Sequence, residues 1–248
     1  MKKYLLTIAA LVVCAAVFAQ DKDIDLSELE DLNKIEVGSG SRVETSLELV
    51  FPMYFGCSVL TNVNYKGAWA DTHLSNPDFL DMRIPKSFVY GLEIASAHIR
   101  PVDSPLDVSL GLRWTFMDYT FTNSAITIGK VSDNLYMPAP LPGSDHDYRK
   151  SKIHANYFGA PLRVALHFGQ VVVYGGASAE ILLGGYAKYK RPKARQQITP
   201  AFNKFRATIE AGFSYGNLGI FAQYGLTPVF PESLSDARAI SFGLVLGL

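Results

Sequence analysis

From Phe205 to Tyr215 the chain alternates without a break. Phe205, Ala207, Ile209, Ala211, Phe213 and Tyr215 share one parity; Arg206, Thr208, Glu210, Gly212 and Ser214 share the other. Successive side chains of a β-strand point to opposite faces, so the segment predicts a strand with one apolar and one polar face. Few architectures accept such a strand. In a soluble sandwich the apolar face packs on a second sheet. In a membrane barrel it meets lipid, and the polar face lines the interior.

The N-terminus has the pattern of an export signal. Lys2 and Lys3 precede an apolar run from Tyr4 to Val13, about ten residues and too short to cross a bilayer as a helix. Val17-Phe18-Ala19 fits a cleavage site, with Gln20 as the new first residue. No other segment approaches the roughly 18–20 apolar residues of a membrane helix. Cleavage removes Lys2 and Lys3 from 23 basic residues, leaving 21 against 23 acidic ones. So even a balance gives no argument for a nucleic-acid partner. Cys14 leaves with the signal, so Cys57 remains alone, which excludes an intramolecular disulfide and a cysteine-based metal site. The 13 Tyr, 15 Phe and 20 Gly suit strands, tight turns and interfacial girdles.

Residues 20–42 read as an acidic periplasmic leader and linker. From Gln20 to Ser41, Asp21, Asp23, Asp25, Glu28, Glu30, Asp31 and Glu36 face only Lys22 and Lys34 as bases, Ile24 to Ile35 carry a weak helical stripe, and Gly38-Ser39-Gly40-Ser41 follows. Eight alternating segments come next, near 43–57, 86–99, 107–120, 155–168, 171–186, 203–215, 218–227 and 237–248. Their connections have a parity. Those at 58–85, 121–154 and 187–202 are long; those at Arg100–Leu106, Gly169-Gln170 and Gly216-Asn217 are short. Membrane barrels keep long loops outside and short turns in the periplasm, whereas a sandwich has no reason to keep such parity. The expected fold is all-β: an eight-stranded antiparallel up-and-down transmembrane β-barrel spanning 43–248, after a signal peptide at 1–19 and the leader at 20–42. An even strand number places both termini in the periplasm.

Face assignment puts the mid-strand charges on one side. Leu47, Phe55, Leu112, Trp114, Leu162, Ile181, Ile220 and Leu244 share the outward parity, while Glu48, Glu93, Arg113, Arg163, Glu180, Arg206 and Glu210 point inward. A charged side chain facing lipid at mid-depth costs on the order of 2–4 kcal/mol, which inward placement avoids. An eight-stranded barrel is only wide enough to fill with side chains. The expectation is a charged, plugged lumen. Symmetric turns would set Glu93 opposite Arg113 and Glu210 opposite Gln223.

Catalytic signatures are absent: there is no G-x-S-x-G, H-E-x-x-H or phosphate loop. His167 and His98 fall near the periplasmic end of their strands. His73, His146 and His154 fall in or beside outer loops, with no nucleophile fixed next to them. Asp145-His146-Asp147 lacks further spaced ligands for a cation, so neither a metal nor a cofactor is expected. Lys188, Lys190, Arg191, Lys193 and Arg195 form a basic run in the fifth connection, suited to lipopolysaccharide phosphates.

Tyr157-Phe158-Gly159-Ala160-Pro161-Leu162-Arg163, Tyr224-Gly225-Leu226-Thr227-Pro228-Val229-Phe230 and Ile240-Ser241-Phe242-Gly243-Leu244 resemble the PorT-like outer-membrane β-barrel family of Bacteroidota, over about 43–248. The resemblance implies architecture more than activity: it carries no catalytic residues, and it links one member to type IX secretion. The expected protein is therefore a non-enzymatic outer-membrane barrel in envelope structure, adhesion or secretion. Its expected partners are outer-membrane lipid and lipopolysaccharide, the outer-membrane assembly machinery, and secretion or envelope proteins, with no nucleic acid. The alternatives are a lipid-modifying outer-membrane enzyme, which needs Ser or Asp beside a histidine near the outer rim, and a soluble periplasmic β-barrel binding an apolar ligand, which needs the apolar face inward.

Overall fold

The computed structural model describes residues 34–37, 41–48, 51–75, 79–132, 135–141, 149–190 and 193–247. Its strands are β1 (Lys34–Val37), β2 (Ser41–Glu48), β3 (Met53–Thr61), β4 (Phe88–Pro101), β5 (Leu106–Thr120), β6 (Ile126–Ser132), β7 (Leu135–Pro140), β8 (Lys150–Phe168), β9 (Val171–Lys190), β10 (Ala194–Gln197), β11 (Phe205–Tyr215), β12 (Leu218–Gly225) and β13 (Arg238–Leu246). One helix, α1 (Ala68–Ser75), and two short 3₁₀ turns complete the elements. No helix among the described residues is long and apolar enough to cross a membrane. Strands β3, β4, β5, β8, β9, β11, β12 and β13 pair antiparallel in a closed ring, β13 returning to β3. The chain is an eight-stranded antiparallel β-barrel.

The alternation that opens the sequence is realised side chain by side chain. On β11, Phe205, Ile209, Phe213 and Tyr215 are exposed, whereas Arg206, Thr208, Glu210 and Ser214 are buried. The same parity leaves Phe55, Leu162, Ile181, Ile220 and Leu244 on the outer wall, each more than half or nearly half exposed. Large apolar side chains left bare around a whole barrel make a lipid-facing belt, since a water-facing one would oppose the hydrophobic effect. The turns that set this register are tight. Phe168 pairs with Val171 and Tyr215 with Leu218, so two residues connect each pair of strands. Gly169 and Gly216 take a positive φ, which the first position of such a hairpin demands and glycine supplies without a steric penalty.

The first barrel strand departs from the continuous segment expected over 43–57. It is two pieces, β2 pairing with the lower part of β4 and β3 pairing with both β4 and β13. Pro52 precedes β3 and has no N–H for the ladder. The carbonyl of Pro52 still accepts the N–H of Glu93 at 3.1 Å, beside a bulge between Glu93 and Ala95. The leader also differs. Residues 34–37 are not helical but form β1, a hairpin partner of β2, so the Gly-Ser linker joins two strands. The rest of the expected helical stripe lies outside the described residues.

The outer connections are shorter and more ordered than 58–85, 121–154 and 187–202. β3 runs to Thr61, β8 starts at Lys150 and β9 continues to Lys190. Their remaining parts fold over the barrel mouth. Trp69 of α1 is fully buried, edge-on to Phe79 at 5.3 Å and tilted on Phe230 at 4.9 Å, and its indole N–H donates to the Tyr136 carbonyl at 2.7 Å. Phe202 stacks on Phe230, and Ile128 and Ile198 are buried with them. They cluster with Met117, Tyr119, Ile153 and Ala187 from the inner face of the outer strands, so an apolar cap closes the outer end.

Inside the wall, Gly212 leaves room for an aromatic ring of the neighbouring strand. A Cβ there would collide with the ring of Tyr174, whose strand pairs with β11 at that position. Gly212→Val is expected to lower the yield of folded barrel, scored as the compact heat-modifiable band on a gel, and Tyr174→Ala in the same chain to restore it. Full folding of the single variant would contradict this packing.

Candidate functional site

The lumen holds an unbroken chain of alternating charges. Both Arg163 Nη atoms donate to the Glu93 carboxylate, at 3.0 and 2.7 Å, and Arg163 Nε donates to Glu210 Oε1. Glu210 Oε2 accepts from Arg113 Nη1 at 2.7 Å, and Arg113 reaches Glu180 Oε1 through Nε and Nη2 at 3.4 and 3.3 Å. Arg206 Nη1 completes the chain on Glu180 Oε2. Three guanidinium groups thus meet three carboxylates. Thr115 adds a hydroxyl to Glu180 at 2.9 Å, and Gln223 adds an amide to Glu210 at 2.9 Å. Tyr54 lies beneath both Arg113 and Arg163, 5.5 Å from each. The backbone pairs Glu93 with Arg113 and Glu210 with Gln223, as symmetric turns require. Yet Glu93 binds Arg163 of β8, two strands away. Arg113 likewise spans to β9 and β11. These pairs are struts across the barrel rather than rungs along one ladder. The side chain of Glu48 lies outside the described residues.

The end of the barrel that carries the short turns holds a second cluster that residue spacing did not reveal. Ser96 Oγ is 2.8 Å from His98 Nε2, and His98 Nδ1 is 2.9 Å from Asp107 Oδ2. Arg100 Nε donates to the same Asp107 oxygen at 2.9 Å, and His167 Nε2 lies 3.4 Å from it. The bulge after Glu93 turns Ser96, His98 and Arg100 to the inner face that Asp107 shares. Hydroxyl, imidazole and carboxylate stand in the order of a nucleophile, base and orienter. Two features oppose that chemistry. Ser96 is buried, and β4 here is paired on both sides, by β2 and β5, so its amides serve the ladders rather than an oxyanion. The cluster gathers Ser96, His98, Arg100 and His167 around the buried Asp107 at this end of the barrel.

The outer rim brings together residues that the sequence placed in a loop. Asp118 Oδ1 meets His154 Nδ1 at 2.6 Å, and Lys152 Nζ binds Asp118 Oδ2. All three point outward from β5 and β8. An aromatic band runs beside and below them: Phe55 stacks on Phe88, Tyr90 and Trp114 on Phe116, and His154 itself on Tyr186. Lys188 and Lys190 belong to β9 and Arg195 to β10, so the basic run is a hairpin rather than a loop. Lys193 lies exposed in the turn; Arg191 lies outside the described residues. The alternation Lys150-Lys152-His154 is the available signal, and the fourth segment expected near 155–168 starts just after it. A recess of about 400 Å³ opens between His154, Asn156, Gly184, Tyr186 and Arg195. Asp145-His146-Asp147 lies outside the described residues. Among the described residues, no three His, Cys, Asp or Glu side chains group as metal ligands.

No protein-family model matches the chain, and no curated protein does. Among solved structures, the crystal structure of Neisserial surface protein A is similar, with 13% identity over 82% of this chain and 99% of that one, at a TM-score of 0.36.

Removing one partner from a buried ion pair leaves an uncompensated charge, a loss of about 3–5 kcal/mol. Glu210 holds two arginines. Glu210→Leu is therefore expected to reduce folding stability by at least about 3 kcal/mol, measured by urea unfolding in lipid vesicles. A loss below about 1 kcal/mol would show that Arg113 and Arg163 find other partners.

Proposed function

We propose that this protein is a non-enzymatic outer-membrane barrel with a sealed lumen. It acts through its outer cap, or through the acidic leader on the periplasmic side, as an envelope-stabilising, adhesion or secretion-accessory protein. The observation that carries the reading is the charge chain Glu93–Arg163–Glu210–Arg113–Glu180–Arg206 laid across the barrel beneath an apolar cap. A chain of direct ion pairs across the lumen argues against a water-filled path for solute. The exposed apolar belt supports the membrane location, and the export signal supports an envelope one. Insertion would rely on the outer-membrane assembly machinery, with termini in the periplasm. The PorT-like resemblance supports a secretion or envelope partner.

The alternatives fit less well. A soluble barrel for an apolar ligand needs its apolar face inside, opposite to the parity of β11. A lipid-modifying enzyme finds an Asp–His pair at the outer rim in Asp118 and His154, but no hydroxyl or thiol nucleophile bonds to that histidine among the described residues. Purified barrel in planar bilayers is expected to give no stable conductance, and lipid A from cells with and without the protein to give the same mass spectrum. Discrete open-channel steps would overturn the sealed lumen. A lipid A mass change that depends on His154 would overturn the non-enzymatic reading.

A further inference from the structure

We infer that the outer wall of β8, β9 and β10 is a binding site for the phosphorylated sugar headgroup of lipid A in the surrounding leaflet. This inference rests on the membrane reading above. Antiparallel pairing sets Lys150 directly opposite Lys190, and Lys152 opposite Lys188; β10 then sets Arg195 opposite Lys188. Like charges facing each other across strands destabilise a sheet. Here three such pairs adjoin on one face. Burial lowers the Lys150 ammonium below its ordinary range, and the like charges of Lys152, Lys86 and Lys188 lower it further, with only Asp118 among its main neighbours acting the other way. Asp118 is already taken up by Lys152 and His154. The wall therefore carries a surplus of positive charge that an external anion would relieve.

The position and shape of the surplus identify the anion. The cations stand just beyond the aromatic band of Phe88, Tyr90, Trp114, Phe116 and Tyr186, at the level where aromatic girdles meet headgroups, and apolar wall continues below through Phe158 and Leu162. A ligand that suits this wall is anionic at the rim and acylated beneath. The recess lies at the foot of the cations. Its side is the Arg195 guanidinium laid on the Tyr186 ring at 3.8 Å, and its floor is Gly184, which offers no side chain. A planar guanidinium fixed on a ring keeps its N–H edges free to bind phosphate in two-point fashion. The recess beside it accepts a sugar rather than a bare ion.

The test uses the full-length mature barrel folded in detergent micelles, with binding followed by native mass spectrometry. The probes are diphosphorylated lipid A, the same lipid enzymatically dephosphorylated, phosphatidylglycerol and inorganic phosphate. Lys188, Lys190 and Arg195 are exposed and make no ion pair among the described residues, so Lys188→Gln/Lys190→Gln/Arg195→Gln should fold. It is expected to bind diphosphorylated lipid A at least about tenfold more weakly than the parent, and to unfold at the same or higher urea concentration because repulsion is relieved. Gly184→Leu, whose Cβ would meet nothing closer than Thr199 Oγ1 at 4.0 Å, should fill the recess and weaken binding with every cation in place. Neutralising Lys66, Lys130 and Lys204 elsewhere should leave binding unchanged. Equal binding by parent and triple variant would overturn the site. So would inorganic phosphate or phosphatidylglycerol binding as tightly as lipid A, since the site would then be for free phosphate or for any anionic lipid. A barrel that inserts and stays closed but ignores lipid A would defeat this inference alone. A chain that does not insert at all would defeat the membrane reading first.

Discussion

A charged side chain in a barrel wall has two surroundings open to it, the hydrocarbon outside or the lumen inside, and the rest of this structure follows from six that lie inside. Glu93, Arg113, Arg163, Glu180, Arg206 and Glu210 are all buried. Each is tolerable because its neighbour in the chain carries the opposite charge; Thr115 and Gln223 add a hydroxyl and an amide to Glu180 and Glu210. That arrangement requires β4, β5, β8, β9 and β11 to hold their registers together. A slip of one residue on any of them would turn a charge to lipid and strand its partner. The two-residue turns at Gly169 and Gly216 and the bulge beside Glu93 are the devices that prevent it.

The struts also explain why the interior is layered. Arginines near mid-depth need carboxylates, so polar residues occupy the middle. The outer third has no such demand and is filled with Trp69, Phe79, Phe202 and Phe230 from the connections above it. At the lower end Asp107 is shared among His98, Arg100 and His167. If the interior is sealed as proposed, the two ends and the outer wall are the surfaces that meet other molecules. The wall at β8–β10 is the one where like charges stand face to face.

Much of this fold was legible because a strand's period of two is an unforgiving code. The parity of β11 and the alternation of long and short connections placed seven of the eight barrel strands to within about five residues, while the first, expected over 43–57, is split into β2 and β3; inward parity gathered six of the seven expected lumen charges, the seventh, Glu48, having its side chain outside the described residues. What alternation cannot tell is which charge meets which. Glu93 stands opposite Arg113 in the ladder, yet its carboxylate lies on Arg163, because a long guanidinium stem can cross the lumen as readily as it can reach sideways. The outer rim was hidden for a different reason. Lys150, Lys152 and His154 alternate as a strand does, but polar residues on an outward face look like loop when lipid is expected there. Only the length of β8 and β9, which run past the apolar belt to Lys150 and Lys190, shows them to be strand residues. The Ser96–His98–Asp107 cluster escaped because a bulge changes parity midway along β4.

The claim beneath all of this is that the apolar face meets lipid and the charged face meets itself. Nitroxide labels on single cysteines at Ile209, Ile220 and Leu244, in a Cys57→Ser background reconstituted in vesicles, test it by collision with oxygen, which prefers hydrocarbon, and with a water-soluble nickel chelate. The account predicts high oxygen and low nickel accessibility at all three. High nickel accessibility there would mean that the exposed apolar belt faces water, and the barrel would not be a membrane protein.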